Sequence, residues 1–369
     1  MSEYAVENLP PLVKGVLSKE TWNEERRKEL LEFFRHEVYG VLPDESSLRI
    51  AIRVADERSG PDIMYGRAIR KLVEVSVSRK NREFSFPFLL YIPKAAEQKP
   101  VPAIISLQGS IVAADPTRRQ IAASWPAETI IARGYAAAAL VNQDVAPDYD
   151  DNFTLKFYRL FPEFAGKRPD DMMGTITAWA WGLSRVVDYL ADDPLINGEI
   201  AAAGHSRGGK TAIWCGVQDP RVTLTISSCS GCSGAAITRA KAGEHIRDIT
   251  TAFPYWFCNN YKKYAADETN MPFDQHLLLA LLAPRFLYVN SKSYDSWCDP
   301  RAEFEGARQA SPAWGVYGFP GLPVTEMPPP EAPVHDGHIG YHLKTGHHFM
   351  DEYDWNNYLD FMDIHFRIC

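Results

Sequence analysis

The segment that most constrains this chain is the apolar run Ile200-Ala201-Ala202-Ala203 leading directly into Gly204-His205-Ser206-Arg207-Gly208. A short continuous apolar run reads as a strand covered on both faces, and such strands belong to parallel sheets. The residues after Gly208 suit a helix running to about Gly216. A serine between two glycines, at a strand-to-helix junction, is the context of a sharp turn that exposes a nucleophile. Gly204 and Gly208 permit a backbone approach that a Cβ would block. Ser206 then stands at a helix N-terminus, where unpaired N–H groups and the dipole favour a developing oxyanion. The bland alternative is a glycine-rich loop with a capping serine.

The rest of the chain fits a doubly wound α/β architecture. Residues 102–107, 135–141, 222–226 and 286–289 are further buried-strand candidates. A helix is predicted over 172–190, with Trp179, Trp181, Val186, Val187 and Tyr189, and a last one over 355–366. Upstream, the runs 48–54, 72–78 and 84–92 alternate in polarity, as antiparallel hairpins with one wet face do. Residues 19–38 have helical periodicity and stop at Gly40 and Pro43. The expectation is a single domain over 1–369, with residues 1–45 a helical extension packed on it. Its core is a three-layer sandwich whose central sheet is mostly parallel, with an antiparallel N-terminal part. The Pro-rich stretch 320–333 is expected to be a long surface loop.

A formal net charge of −8 argues against nucleic acid as a partner, because phosphate neutralisation needs clustered Lys and Arg. No stretch reaches the roughly 18 apolar residues of a membrane span. Met1-Ser2-Glu3-Tyr4 shows no basic start followed by an apolar run, so no signal peptide is visible, which leaves a cytoplasmic protein or a trimmed leader. The cysteines Cys215, Cys229, Cys232, Cys258, Cys298 and Cys369 are too sparse for a disulfide scaffold, although one bridge is possible. Cys229-Ser230-Gly231-Cys232 is a lone CxxC amid Gly and Ser and reads as loop. Neither a metal nor an organic cofactor is expected, and the chain is expected to act as a monomer.

Ser206-Arg207-Gly208-Gly209-Lys210 places a guanidinium beside the serine and an ammonium one helical turn later. By itself this pair could be two solvated helix residues making surface ion pairs. The segment resembles the G-C-S-R-x-G-K motif of the glucuronoyl esterases, carbohydrate esterase family 15, with His205 where fungal members carry Cys. Matching segments include Ser230-Gly231-Cys232-Ser233-Gly234, Phe253-Pro254-Tyr255-Trp256-Phe257, Asp274-Gln275-His276, Asp295-Ser296-Trp297-Cys298-Asp299-Pro300 and Tyr353-Asp354-Trp355. The resemblance runs from about Trp22 onward and is strongest after Ala201. It implies the α/β-hydrolase fold and a serine esterase acting on glucuronic acid esters, as in lignin–carbohydrate links on xylan. It also implies usually secreted relatives. Under it, Arg207 helps hold the oxyanion with its backbone N–H and its side chain, and Lys210 bonds a hydroxyl of the uronic acid.

A serine hydroxyl needs a base, and histidine suits neutral pH. In this fold the order is nucleophile, acid, histidine, which leaves His335, His338, His342, His347 and His348 before the last helix. The family pattern of Gly-x-His followed by Asp-Trp selects His348, with His347 as its neighbouring rival. His335, His338 and His342 could instead bind a metal, although Gly337 and Gly340 disfavour a helix there.

Many family members carry the acid as a Glu where this chain has Cys229. Asp295, after the strand 286–289, is the replacement. Asp299, followed by Pro300, is the runner-up and suits a helix cap. Trp297 resembles a tryptophan lining the sugar site, against the bland role of core aromatic, and Glu244 is a further candidate for a sugar contact. The second oxyanion donor is expected near Gln108 and Gly109. The rival readings are an acetylxylan-type or other carboxylesterase on the same fold, and a carbohydrate-binding relative that has lost catalysis.

Overall fold

The computed structural model describes residues 8–366 except 14, 16, 17, 110–123 and 240–241. Cys369 and Met1 to Tyr4 therefore lie outside the described residues.

Among the described residues nine strands form one sheet: β1 Arg49–Arg58, β2 Ala68–Arg79, β3 Arg82–Pro93, β4 Val101–Gln108, β5 Ala136–Val141, β6 Ile196–His205, β7 Leu224–Ser228, β8 Phe286–Lys292 and β9 Ile339–Lys344. Their order is β1-β2-β3-β5-β4-β6-β7-β8-β9. The pairs from β5 to β9 are parallel, whereas β1–β2, β2–β3 and β3–β5 are antiparallel. The antiparallel N-terminal part and the parallel body of the α/β-hydrolase fold are thus both present.

The period of two along a strand splits the core between the faces of this sheet. Ala103, Ile105, Ala136, Ala138 and Ala202 enter one hydrophobic cluster, with Trp179, Ile213 and Trp214. Ile104, Ala137, Ala139, Ala201 and Ala203 enter the other, with Ile130, Trp355 and Phe361. Helices therefore cover both faces, which is why these strands are apolar at every position. Each large aliphatic or aromatic side chain so buried contributes about 1.5–3 kcal/mol. The alanines of β5 and β6 let the long helix Thr175–Asp192 lie close, with Trp179 Nε1 donating to Ala146 O at 3.0 Å.

The N-terminal extension is a continuous helical run whose middle is Arg27–Phe34, flanked by π-helical turns Thr21–Arg26 and Arg35–Tyr39. It buries Trp22, Leu30, Phe34 and Val38, and Tyr39 stacks on Trp214 at 4.3 Å. Gly40 ends it at φ 88°, where a Cβ would meet Met173 Cα at 2.4 Å. Among the described residues no helix is long and apolar enough to cross a membrane.

One strand departs from the sequence reading, and one helix follows the cap that the sequence suggested at Asp299. Residues 339–344 form β9, the last parallel strand, where the histidine cluster suggested loop. Its alternation is hidden because Gly340 and His342 both lie buried. The helix Pro300–Ala310 follows Asp299, and its period is masked by Glu303 and Glu305, both buried. The stretch 320–333 contains no helix or strand.

Candidate active site

Ser206 joins β6 to the helix Arg207–Gln218 with φ 58° and ψ −122°, a conformation that a non-glycine residue holds only when its surroundings impose it. Ser206 N donates to Ser228 O at 2.8 Å, tying the turn to β7. A Cβ on Gly204 would lie 2.0 Å from Gly208 O, so that glycine is required where the strand doubles back on the helix. The turn presents Ser206 at the C-terminal edge of the parallel strands. Arg207 N–H is the first donor of the helix, as an oxyanion site needs.

The loop after β8 brings Asp295, and the loop after β9 brings His348. His348 Nδ1 lies 2.6 Å from Asp295 Oδ2, while Asp295 Oδ1 accepts from Cys298 N at 3.3 Å. Burial opposes the charge on Asp295, yet the hydrogen bonds from His348 and Cys298 and the nearness of the imidazole outweigh it and hold the carboxyl below its ordinary range. With Nδ1–H given to the carboxylate, Nε2 is the atom left to accept a proton. The His205 ring lies 4.5 Å from the His348 ring, which places the base beside the serine's chain neighbour. His205 is itself pushed down to about 3, first by burial and then by the nearness of His348. It stays neutral and offers no competing charge.

His347 is exposed, with its ring 5.4 Å from that of Tyr294. Asp299 serves the backbone instead. Its Oδ1 caps the helix Pro300–Ala310 at Ala302 N, 3.1 Å, and its Oδ2 accepts from Ala242 N at 2.8 Å. Cys229 and Cys232 lie in the buried loop after β7, and Cys229 faces the Asp295–His348 pair.

The metal alternative for His335, His338 and His342 does not assemble. His342 is buried in β9 and bonds Asp354 through Nε2 at 2.9 Å and Tyr288 through Nδ1 at 3.0 Å. His338 turns to Pro284 O at 3.0 Å. Among the described residues the one group of metal-ligand type is Cys229, Asp295 and His348.

Arg207 was expected to aim its side chain at the oxyanion, but Nη1 is committed to Asp148 Oδ2. Asp148 Oδ1 also accepts from Trp256 Nε1 at 2.9 Å, and the guanidinium lies 5.0 Å over the Trp256 ring. Trp256 stacks on Phe253 at 3.7 Å. Sequence reading missed Asp148. It lies 59 residues from Arg207 in an acidic stretch, with nothing local to mark it.

Lys210 is not a solvated helix residue: it is buried, and Nζ donates to Ser230 O at 2.6 Å. Trp297 is 56% exposed, unlike the core aromatics, in the loop that carries Asp295. Glu244 lies against it, N donating to Trp297 O at 2.9 Å. A Cβ on Gly243 would meet that same oxygen at 2.1 Å. Gln108 turns Nε2 to Ser106 Oγ at 2.9 Å, and the loop beyond Gly109 passes into residues 110–123, outside those described.

Sequence reading also missed a buried polar brace behind the histidine. Asp354 Oδ1 accepts from Lys292 Nζ at 2.5 Å and from His342, and Oδ2 accepts from Asp351 N at 2.8 Å. The brace ties the ends of β8 and β9 to the start of the helix Glu352–His365, around the loop that bears His348.

A sequence model described as "Glucuronyl esterase, fungi" matches residues 75–318. The chain is 35% identical to "Carbohydrate esterase MZ0003" of an unknown prokaryotic organism, over 95% of this chain and 86% of that one. It is 28% identical to the 4-O-methyl-glucuronoyl methylesterase of Podospora anserina over 82% of this chain, spanning 58% of that enzyme's length. Among solved structures, a glucuronoyl esterase from Solibacter usitatus superposes with a TM-score of 0.88 at 36% identity, covering 98% of each chain. A promiscuous CE15 esterase from a marine bacterial metagenome gives 0.87 at 34%, covering 97% of each.

Proposed function

The chain belongs to the glucuronoyl esterase family, carbohydrate esterase family 15, and from that premise we propose that it cleaves the ester between a (4-O-methyl-)glucuronic acid carboxyl and an alcohol, as in lignin–carbohydrate complexes. The family carries the substrate class, and the observation that carries the serine chemistry is the 2.6 Å contact of His348 Nδ1 with Asp295, beside a serine held on a strained elbow.

Ser206 Oγ attacks the uronoyl carbonyl as His348 Nε2 takes its proton. The negative charge on the carbonyl oxygen falls to Arg207 N–H at the helix N-terminus. Collapse expels the alcohol, which receives the proton from His348 and leaves an acyl-enzyme on Ser206. Water, deprotonated by the same nitrogen, then releases the free uronate. Asp295 keeps the imidazole in the productive tautomer throughout. Trp297 offers an exposed face for the sugar ring, with Glu244 behind it, and Lys210 steadies the elbow from below through Ser230 O.

The test is hydrolysis of a glucuronic acid methyl or benzyl ester, beside p-nitrophenyl acetate, by the wild type and Ser206→Ala. A preference for the uronate ester that disappears with Ser206 is expected. Cleavage of the acetate alone would keep the serine hydrolase and remove the glucuronoyl specificity.

A further inference from the structure

The loop after β7 carries a buried thiol, and that thiol has company. Cys229 Sγ, a carboxylate oxygen of Asp295 and an imidazole nitrogen of His348 lie within 4.8 Å of one another. The nitrogen on that side is Nδ1, since it contacts Asp295 at 2.6 Å and Cys298 Sγ at 3.5 Å. Sulfur, imidazole and carboxylate are the donor set that zinc selects. Ligands around a tetrahedral zinc stand ~3.5 Å apart, so the group needs only shifts of about 1 Å to close on an ion. The His348 side chain is 39% exposed, so the cluster can be reached from solvent although both thiols are buried.

We propose that Cys229, Asp295 and His348 Nδ1 form an inhibitory binding site for zinc or a similar thiophilic divalent cation, with the fourth position filled by water or Cys298. Cys229 gives up its thiol proton to solvent and binds as thiolate. The ion takes the place of the proton between His348 Nδ1 and Asp295, and that proton moves to Nε2. The imidazole then carries hydrogen on the nitrogen that must accept the Ser206 proton. Metal binding therefore fixes the wrong tautomer and removes the base without displacing the serine. Binding follows from the geometry alone, whereas its effect on turnover rests on the proposed roles of Ser206 and His348.

Two measurements separate these. Cobalt(II) titrated into Ser206→Ala protein is expected to give thiolate-to-metal charge-transfer absorption, and Cys229→Ser in that background to weaken binding by about 100-fold or more. Affinity is expected to rise about tenfold per pH unit while one thiol proton is released. In active enzyme, zinc is expected to lower kcat reversibly, with a chelator restoring it. Cys229→Ser is expected to lose that sensitivity relative to its own zinc-free rate. Cobalt binding without a charge-transfer band, or zinc inhibition unchanged in Cys229→Ser and abolished in Cys298→Ser, would overturn the site. A charge-transfer band in Ser206→Ala protein beside a wild type that hydrolyses no uronate ester would leave the metal site standing and remove the esterase reading.

Discussion

His348 and Asp295 meet at 2.6 Å although 53 residues separate them, because β8 and β9 are parallel neighbours whose following loops leave the same edge of the sheet. The register Asn290↔His342 and Lys292↔Lys344 brings the strand ends level, and Tyr294 N donates to Gly346 O at 2.9 Å. Asp295 and His348 are thus delivered face to face by backbone pairing.

Asp295→Asn removes the acceptor that holds Nδ1–H, and is expected to lower kcat by about 10³–10⁴-fold. Asp299→Asn disturbs a helix cap and is expected to cost about 1 kcal/mol of stability with kcat within a few fold. Steady-state kinetics and thermal melts on the two variants check this. Equal losses of kcat would remove Asp295 as the triad acid.

Cys229 already faces the Asp295–His348 pair, so a carboxylate built there can approach the histidine from a second side. Asp295→Asn combined with Cys229→Glu is expected to regain at least about tenfold in kcat over Asp295→Asn alone. No recovery in a double variant that folds like the wild type would mean the β7 loop no longer supports an acid.

Asp148 holds Arg207 against Trp256, and the Tyr255 hydroxyl donates to Asp148 O at 2.8 Å. Released from that clamp, Arg207, whose backbone N–H is the proposed oxyanion donor, loses the anchor that fixes its side chain. Asp148→Ala is expected to lower kcat about tenfold to 100-fold while KM moves less, with Asp148→Glu partly restoring kcat. A change confined to melting temperature would make Asp148 structural only.

Asp354 is expected to contribute to the acid sensitivity of the fold. Burial raises its carboxyl, but the His342 bond and the Lys292 ammonium prevail and bring it from 3.8 to about 2. His342 is held below its ordinary range by burial and acts as a neutral donor at neutral pH, so Lys292 supplies the opposing charge. A depressed carboxyl stabilises fully above its unfolded value near 3.8, and that contribution is lost as pH falls through about 2. Its size is about 2 kcal/mol. Denaturant unfolding between pH 5 and about 2 is expected to show a stability drop that Asp354→Asn flattens. An unchanged slope in the variant would assign the acid sensitivity elsewhere.

What the sequence determined alone is what local pattern can encode. The uninterrupted apolar runs marked the buried strands, since a strand covered on both faces has no polar side to show. The glycines at 204 and 208 marked the elbow, since only a residue without a Cβ fits there. Chain order narrowed the base to the last cluster of histidines. Tertiary structure alone decided which partners those residues take. It drew Arg207 to Asp148 and turned Lys210 inward to Ser230 O. It also buried His342 in a strand that its own residues disguise. Local spacing carries backbone conformation, because steric limits act between near neighbours. A contact across 53 or 59 residues depends on where the sheet delivers two loops, and that relation exists only once the strands have paired.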